Sequence, residues 1–516
     1  MPTFPLGLLS VLLAIPVIGA AVLLLISREH ARALRTGALL FTTLAFLWSL
    51  NILARFDGTQ GEMQLVERVP WMRFYGISYL VGIDGISLFL VLLTTFLMPI
   101  AILASWSVTG RIKEYLFFML ILETGMLGAF VALDLFLFYV FWEVMLIPMY
   151  FLIGVWGGSR RIYAAIKFVL YTMAGSLLML VAIIYIATRH AQLTQVLTFD
   201  LLQLYSLQLP FHEQLWLFLA FALSFAIKVP LFPFHTWLPD AHVEAPTAGS
   251  VILAAILLKL GTYGFLRFAI PLFPAAALAA APVIIALAVV GIIYGALVAM
   301  MQADIKKLVA YSSVSHLGFV MLGLFVFNIQ GVQGSVYQML NHGLSTGALF
   351  LLVGMIYDRR HTRRIEDFGG LWKQLPIFSA LLLVVTFSSI GLPGLNGFIG
   401  EFLILLGAFT VTPGWTAAAA TGVILSAVYM LWMFRRVIFG PLTHPENQQL
   451  KDLDGREILI LAPVVALIVF MGVYPQPFLS RMKPSIDLTL ERVFAVQGTP
   501  TAANVAAGEE DHDHGR

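Results

Sequence analysis

Seven ionisable side chains lie inside long apolar stretches of this chain. A charge at the centre of a membrane helix costs about 2.5–3.5 kcal/mol on insertion scales, so each such residue is a candidate for function. In chain order, they are Glu123, Glu143, Lys228, Lys259, His316, His342 and Glu401. Carboxylates stand at the two ends of this series, with nitrogen bases between them. Because burial brings carboxylates and amines closer in proton affinity, and histidine titrates near neutral pH, the series predicts a proton relay.

Lys228 and Lys259 carry the strongest signal. They are the two of the 30 Lys and Arg residues that lie well inside apolar spans, more than five residues from either span end and too far from it to reach water easily. We expect Glu143 and Lys228 to form an ion pair, whose separation would push the proton of Lys228 toward Lys259. The other residues have a structural alternative. A buried histidine is often a hydrogen-bonded core residue, and Glu123 could be a packing carboxylic acid that is never ionised.

The composition of the 516-residue chain is that of a membrane protein. Hydrophobic residues make up 60% of it and charged residues 11%, against about 45–50% and 25% in globular domains. The chain has no cysteine, which excludes disulfides, thiol catalysis and cysteine-ligated zinc or iron–sulfur clusters within it. No dinucleotide or phosphate-binding fingerprint is present, and nothing supports binding of nucleic acid.

Apolar runs of about 20 residues, long enough to span a bilayer, recur along the whole chain. They predict fourteen transmembrane spans, at residues 5–27, 34–54, 80–108, 113–133, 135–156, 168–188, 214–234, 247–270, 275–300, 307–329, 331–357, 376–409, 415–440 and 457–476. Nineteen of the 30 Lys and Arg residues lie in the odd-numbered loops, and nine lie in the even-numbered loops and the C-terminal tail. The positive-inside rule therefore predicts a bacterial inner-membrane protein with both termini on the periplasmic side.

A repeated segment indicates how the spans are organised. Residues 175–185 and 347–357 are identical at six of eleven positions, which pairs spans four to eight with spans nine to thirteen. Units with an odd number of spans enter the membrane from opposite sides, as the inverted repeats of transporters do. Each unit also has a span interrupted by helix breakers, with Pro230 in the seventh span and Pro393 in the twelfth.

The predicted fold is therefore an all-α polytopic membrane protein of about 14 transmembrane helices, with two inverted five-helix repeats that each contain a broken helix. We expect helices one to three in residues 1–112, the first repeat in 113–270, the second repeat in 271–440, and the last helix with a disordered polar tail in 441–516.

For two further groups of histidines, we expect a role other than specific metal binding. His235 and His242 lie seven residues apart in a proline-containing loop, where we expect a structural or gating role rather than metal binding. The acidic and histidine-rich stretch at 508–516 could bind a metal weakly, but its composition is typical of solvated, disordered chain.

Three segments carry a resemblance to a known family. They are 141–148 (FWEVMLIP), 232–264, which begins FPFHTWLPDAHVEAPTAG, and 391–402 (GLPGLNGFIGEF). Over about residues 80–475, the chain resembles the antiporter-like membrane subunits of respiratory complex I and their relatives in multisubunit cation/proton antiporters. The form HTWLPDAH, with LLK following it, is most similar to the M-type subunits.

The resemblance implies a proton-translocating subunit of NADH:quinone oxidoreductase that has no redox centre of its own. FMN, iron–sulfur clusters and quinone are then expected in partner subunits, with L-type and N-type antiporter-like subunits and the lipid bilayer as neighbours. The resemblance implies that Glu143 and Lys228 form a regulatory ion pair and that Lys259 is the central relay. It also implies that His316 and His342 pass the proton on to Glu401. The alternatives are a subunit of a cation/proton antiporter or hydrogenase-linked pump, and a structural membrane scaffold.

Overall fold

The computed structural model describes residues 7–495 of the chain. Its helices are α1 Leu8–Leu25, α2 Ala31–Arg55, α3 Ser87–Ala104, α4 Ile112–Val131, α5 Leu135–Trp156, α6 Arg161–Thr194, α7 Leu201–Leu204, α8 Phe211–Lys228, α9 Trp237–Glu244, α10 Thr247–Leu272, α11 Pro274–Met300, α12 Ile305–Phe325, α13 Ile329–Arg360, α14 Leu371–Gln374, α15 Pro376–Ser389, α16 Asn396–Val411, α17 Pro413–Ile438, α18 Gly455–Val473 and α19 Gln476–Ala495. Two strands, β1 Gln64–Met72 and β2 Ile77–Ile83, form an antiparallel hairpin between α2 and α3.

Several helices begin at an acidic side chain that caps them. Asp134 accepts hydrogen bonds from two backbone N–H groups at the start of α5, and Asp304 does the same at the start of α12. Asp454 and Glu457 form a reciprocal capping box at the start of α18. Such a cap stabilises a helix by about 1 kcal/mol. The caps therefore help to fix where each apolar run becomes helical and how its buried residues are placed.

Twelve of the described helices are long and apolar enough to cross a membrane. The seventh predicted span ends early and is followed by a short separate helix, and the twelfth predicted span is divided in two. In the first case α8 ends at Lys228 and α9 begins at Trp237; in the second, α15 ends at Ser389 and α16 begins at Asn396. The structure thus confirms a multi-pass, mostly helical fold with two broken helices. The count of fourteen crossings and the inversion of the repeats stay predictions.

Two segments differ from the sequence prediction. The third span was predicted from residue 80, but residues 77–83 form strand β2 and α3 begins at Ser87. The fold is thus not wholly α-helical. Residues 476–495, assigned to the last span and a polar tail, form helix α19, whose buried Met482, Ile486 and Val493 recur at helical spacing. Its low overall hydrophobicity hid it from a search for apolar runs. The predicted tail at 508–516 lies outside the described residues.

Three helices form the centre of the bundle. The most apolar 18-residue windows of α10 and α13 are 100% buried and that of α12 is 94% buried, whereas α1, α2 and α6 have 28–39% of theirs buried. Because every residue of those α10 and α13 windows is buried, their polar side chains have little access to water and depend on groups within the protein.

Helix α10 packs closely against the end of α8. A Cβ atom built on Gly261 of α10 would lie 2.8 Å from the carbonyl oxygen of Phe225 and 2.8 Å from the backbone nitrogen of Val229. Small residues at such crossings let helix backbones approach each other in a membrane. The glycine therefore brings α10 directly beside the point where α8 breaks off.

Candidate functional site

Lys228 is the last residue of α8, at the first break. The following segment contains Pro230 and does not become helical again until Trp237, because proline has no N–H to donate and clashes with the preceding turn. The Lys228 side chain is buried, and its Nζ atom lies 5.3 Å from the centre of the Trp142 ring and 5.4 Å from that of Phe168. Aromatic faces attract a cation at this range, so the two rings provide a favourable place for the ammonium.

Glu143 does not make the direct ion pair that the sequence predicted. Within the described chain, no salt bridge joins it to Lys228, whose ammonium faces the aromatic rings instead. Glu143 is half-buried on α5, next to Trp142, and its Oε1 atom is buried without a hydrogen-bond partner there. The carboxylate is still close enough to act on the Lys228 charge electrostatically. The structure therefore has this acid–base pair in a separated arrangement.

Lys259 lies in the wholly buried part of α10 and is in contact with His342 of α13. Its Nζ atom is 2.5 Å from Nδ1 of His342 and also donates a hydrogen bond of 2.5 Å to the carbonyl oxygen of Ala254. Lys259 is 0% exposed and His342 is 3% exposed. An amine and an imidazole in direct contact, shielded from bulk water, can exchange a proton without a carrier.

Two π-helical segments of α10 flank Lys259. They span Leu253–Leu257 and Phe265–Ala269. A π segment adds a residue to one turn and frees backbone groups from the regular ladder, and such segments often mark functional sites. The Ala254 carbonyl that accepts from Lys259 belongs to the first of them. Sequence reasoning missed both segments, because their Leu, Ala, Ile and Phe residues are equally at home in an ordinary α-helix.

His316 of α12 continues the contact series toward the second break. Its ring centre lies 5.9 Å from that of His342, and its Nδ1 atom is 2.8 Å from Oε1 of Glu401 on α16. The hydroxyl of Ser389, the last residue of α15, lies 3.4 Å from the Nε2 atom of His316. Both nitrogens of this imidazole therefore have a polar neighbour, one at each end of a possible proton path.

A polar network ties the second break to Glu401. The side chain of Gln338 donates a hydrogen bond of 3.1 Å to Glu401, and Asn341 donates to Gln338 at 3.1 Å and to the carbonyl oxygen of Asn396 at 2.7 Å. The Ser388 hydroxyl donates to Asn396 Oδ1 at 2.5 Å. Sequence reasoning did not find this network. Its signal was present, since Gln338 and Asn341 lie four residues and one residue before His342 within the same predicted membrane span.

The chain bends sharply at the second break. Gly391 and Gly394, on either side of Pro393, have φ angles of +76° and +91°, which residues with a Cβ atom adopt only with strain. The glycines thus allow the turn between α15 and α16, which points α16 and its Glu401 side chain toward His316.

The supporting residues Glu123, His235 and His242 lie in three different environments. Glu123 on α4 is fully buried, and neither of its carboxyl oxygens has a hydrogen-bond partner in the described chain. His235 packs between the rings of Phe232 and Tyr294, at 5.7 Å and 5.1 Å between centres. None of these contacts joins either residue to the Lys259–His342 contact.

His242 on α9 is fully buried and stacks on Phe350, with ring centres 4.6 Å apart and an angle of 11°. Neither of its ring nitrogens has a partner among the described residues, whereas Lys259 and Lys306 are both close enough to act on it electrostatically. No cluster of three metal-ligating side chains is found between residues 7 and 495.

A cavity of about 400 Å³ opens beside α9. It is lined by Glu244 of α9, by Lys306 of α12 and by Asp358 of α13, together with the residues that join α9 to α10. The Lys306 Nζ atom closes one wall by donating a hydrogen bond of 2.6 Å to the carbonyl oxygen of Ala245. Residues of the basic odd-numbered loops belong to its lining, and His242 is the chain neighbour of the lining residue Val243.

Comparison with known proteins assigns this arrangement to a family. The description "NADH:quinone oxidoreductase/Mrp antiporter, TM" matches residues 132–427, and "NADH-ubiquinone oxidoreductase chain 4, amino terminus" matches residues 13–129. The NADH-quinone oxidoreductase subunit M of Rhodobacter capsulatus is 48% identical over 508 residues, which cover 96% of this chain and 98% of that one. This chain belongs to the NADH-quinone oxidoreductase subunit M family. The resemblance found in the sequence is thereby confirmed.

Other members of the subunit M family and solved structures agree. The NADH-ubiquinone oxidoreductase chain 4 of Marchantia polymorpha is 47% identical over 93% of this chain and 96% of its own length. A chain of respiratory complex I from Thermus thermophilus with bound NADH superposes with a TM-score of 0.86 at 35% identity, over 94% of this chain and 99% of that one. A chain of the Mrp complex from Dietzia sp. DQ12-45-1b, at 21% identity, has a TM-score of 0.79 over 97% of this chain and 58% of its own, and so shares the fold.

Proposed function

We propose that this chain carries protons through the membrane part of an NADH:quinone oxidoreductase, along the series Lys259, His342, His316 and Glu401. The observation that carries the proposal is the contact of 2.5 Å between Lys259 and His342, two side chains that are only 0% and 3% exposed. A buried lysine is costly to insert into a membrane. A structural scaffold would gain nothing from that cost, whereas a proton relay needs the amine.

Each nitrogen of the two histidines has a use in this path. A proton that leaves Lys259 reaches Nδ1 of His342, and the opposite ring nitrogen is then free to release one, because neutral imidazole accepts at one nitrogen and donates at the other. The two ring centres are 5.9 Å apart, a gap that a rotation of the ring or a bridging water can span. From Nδ1 of His316, the proton passes to Oε1 of Glu401, 2.8 Å away.

The separated Glu143 and Lys228 supply the control step. When the carboxylate of Glu143 approaches Lys228, it stabilises the ammonium; when it withdraws, the ammonium keeps only the rings of Trp142 and Phe168 and gives up its proton more readily. Two features support a mobile pair: the unpartnered Oε1 atom of Glu143 and the lack of any salt bridge to Lys228 in the described chain. The close approach of α10 to the end of α8 at Gly261 places the next acceptor, Lys259, on the neighbouring segment.

The cavity beside α9 is the proposed site of proton uptake. It lies on the side of the basic loops, which the positive-inside rule assigns to the cytoplasm. Polar and ionisable groups line it, and His242, the neighbour of the lining residue Val243, is close enough to Lys259 for an electrostatic interaction. In this orientation, both termini and the β1–β2 hairpin face the periplasm of a bacterial cell.

Electron transfer belongs, in this proposal, to partner subunits that hold FMN, iron–sulfur clusters and quinone. The chain itself has no cysteine to provide a thiolate ligand. Its neighbours in the membrane are proposed to be the L-type and N-type antiporter-like subunits, and coupling reaches this chain through Glu143.

The test is proton pumping driven by NADH:quinone electron transfer in inverted membrane vesicles that carry Lys259→Met, with full assembly of the enzyme verified. We expect pumping through this subunit to be lost and electron transfer to slow, because the two are tightly coupled. Lys113→Met is the matched control: its ammonium also donates to helix carbonyls, those of Leu24 and Ile26, but at the surface of the bundle. Unchanged pumping and turnover in Lys259→Met would leave the scaffold as the better account.

A further inference from the structure

A second polar series runs along α10, away from His342. Lys259, Tyr263 and Arg267 follow one another at intervals of four residues, which places them on one face of a helix. The distance from Lys259 to Arg267 along the helix axis is about 12 Å, at 1.5 Å per residue. This series points toward the end of α10 that lies near the β1–β2 hairpin, opposite to the cavity beside α9.

Arg267 is buried and paired at the end of this series. Its guanidinium lies 2.5 Å from Oδ1 of Asp84, the residue that follows β2, and both side chains are only 2% exposed. Its Nε atom donates a hydrogen bond of 3.1 Å to the hydroxyl oxygen of Tyr263, and that hydroxyl in turn donates to the carbonyl oxygen of Phe130 at 2.9 Å. The guanidinium is therefore fixed between a carboxylate and a phenol.

A second cavity, of about 460 Å³, reaches the same ion pair. Asp84 and Arg267 form part of its lining, together with Glu62 in the loop before β1 and Arg492 of α19. The cavity thus brings polar space to within two helical turns of Lys259. A carboxylate, a phenol and an amine would stand in succession from the cavity to the relay, were Arg267 not between them.

A proton pump must close such a route, since protons that return along it dissipate the gradient. We propose that Arg267 is the fixed positive charge that prevents protons from passing between Lys259 and this cavity. A guanidinium does not release its proton in proteins, so it cannot act as a relay, and a fixed arginine in a pore repels protons and cations. It also occupies the Asp84 carboxylate, which would otherwise be a proton acceptor at the cavity wall. The inference rests on the proposed relay function of Lys259.

Several contacts hold the guanidinium in place. Arg267 belongs to the second π-helical segment, and its own carbonyl oxygen accepts a hydrogen bond of 2.7 Å from the hydroxyl of Tyr205. Arg492 stacks over the Tyr205 ring at 4.6 Å, and the backbone N–H of Gly85, next to Asp84, donates to Ser485 Oγ at 3.0 Å. The hairpin end and α19 thereby clamp the ion pair from the cavity side.

A purely structural ion pair makes a different prediction. If the pair served only to join α10 to the end of the hairpin, loss of either partner would leave one buried charge unpaired and would be comparably harmful. If Arg267 is a barrier, the two losses differ. Removal of Asp84 leaves the positive charge in the path, whereas removal of Arg267 opens the path and frees the carboxylate.

The experiment compares Arg267→Gln with Asp84→Asn in fully assembled enzyme in inverted membrane vesicles. Electron transfer first builds a pH gradient and is then stopped with a quinone-site inhibitor, and the passive decay of the gradient is measured. We expect the decay in Arg267→Gln to be faster than wild type by about tenfold, the size expected when a fixed charge close to the path is removed. Asp84→Asn is expected to decay at the wild-type rate. Equal acceleration in both variants, or in neither, would overturn the proposal.

Two further variants complete the test. The double variant Asp84→Asn with Arg267→Gln leaves no unpaired buried charge, so it can replace Arg267→Gln if that variant fails to assemble. Its pH gradient should also decay faster than that of the wild type. Decay at the wild-type rate in the double variant would count against the barrier. Glu62→Gln changes another charged residue of the same cavity, one that makes none of the contacts to the ion pair, and its gradient is expected to decay at the wild-type rate. The passive decay does not require pumping through Lys259, so its result can be separated from that of the Lys259→Met experiment. Unchanged pumping in Lys259→Met would reject the relay. An unchanged decay rate in Arg267→Gln would reject only the barrier.

Discussion

The Nζ atom of Lys259 and the Nδ1 atom of His342 lie 2.5 Å apart, between two helices whose central windows are wholly buried. This short contact, together with the hydrogen bond from Lys259 to the Ala254 carbonyl, fixes the position of the amine beside the imidazole. The proposed path depends on the ability of that amine to give up its proton to the imidazole.

Lys259→Arg should therefore abolish pumping even though it keeps the positive charge. A guanidinium retains its proton in proteins, so it cannot pass one to His342. We expect the rate of NADH-driven proton uptake attributable to this subunit to fall by about 100-fold, the usual size of a lost proton-transfer group. Lys113→Arg at the bundle surface is the control. Normal pumping in Lys259→Arg would mean that charge, and not proton release, is what this position provides.

Glu401→Gln should block proton transfer at the end of the path without disturbing the local structure. A glutamine side chain can still accept the hydrogen bond from Gln338, but it cannot take up a proton from His316. We expect assembled enzyme whose proton uptake is reduced by about 100-fold or more. Gln338→Glu is a useful companion, because it adds a carboxyl group beside Glu401 while leaving Glu401 in place. Full pumping in Glu401→Gln would remove this residue from the path.

Trp142→Leu should weaken the hold on the Lys228 ammonium. A cation–π contact is worth about 0.5–2 kcal/mol, so its loss favours proton release from Lys228 by several-fold. We expect pumping, measured as a function of pH, to fall off at a lower pH than in the wild type. Trp216→Leu is the control, since Trp216 lies on the same helix as Lys228 but is 72% exposed. An unchanged pH profile in Trp142→Leu would argue that the ring only fills space.

Gly261→Ala should disturb the junction between α10 and the first break. Its Cβ atom would meet the backbone of Phe225 and Val229 at 2.8 Å, closer than atoms can stay, so α10 must move away. Overpacking of this kind costs about 1–3 kcal/mol, which should lower the thermal unfolding temperature of the purified enzyme and slow pumping. Gly347→Ala provides the contrast, because its Cβ atom would meet its nearest neighbours at an ordinary 3.8 Å. Equal stability of the two variants would contradict the close approach.

Much of this architecture was accessible from sequence. The apolar runs located twelve long membrane helices, and the prolines and glycines located both breaks, because these residue types act on the backbone locally. The order of the buried bases along the chain did not show which side chains meet: Lys259 contacts His342, whereas His316, which comes earlier in the chain, contacts Glu401. Their roles in proton transfer stay predictions.

The errors have a common physical cause. Strand β2 is stabilised by pairing with the neighbouring strand β1, and helix α19 packs against the ends of α10 and α13, far away in the chain, so their own hydropathy did not reveal them. The ion pair expected between Glu143 and Lys228 failed for a related reason, since the aromatic rings that receive the lysine lie on α5 and α6. The π-helical segments beside Lys259 are likewise set by tertiary contacts, such as the bond from Tyr205 to the Arg267 carbonyl.

The burial of α10 and α13 separates the chemistry of this subunit from the lipid around it. Helices α1, α2 and α6 expose most of their apolar surface and must adapt to the thickness and fluidity of the bilayer, whereas Lys259 and His342 touch no acyl chain. A change of lipid composition should then reach the proton path only through the outer helices. The spacing between the amine and the imidazole should therefore depend little on the thickness of the surrounding membrane.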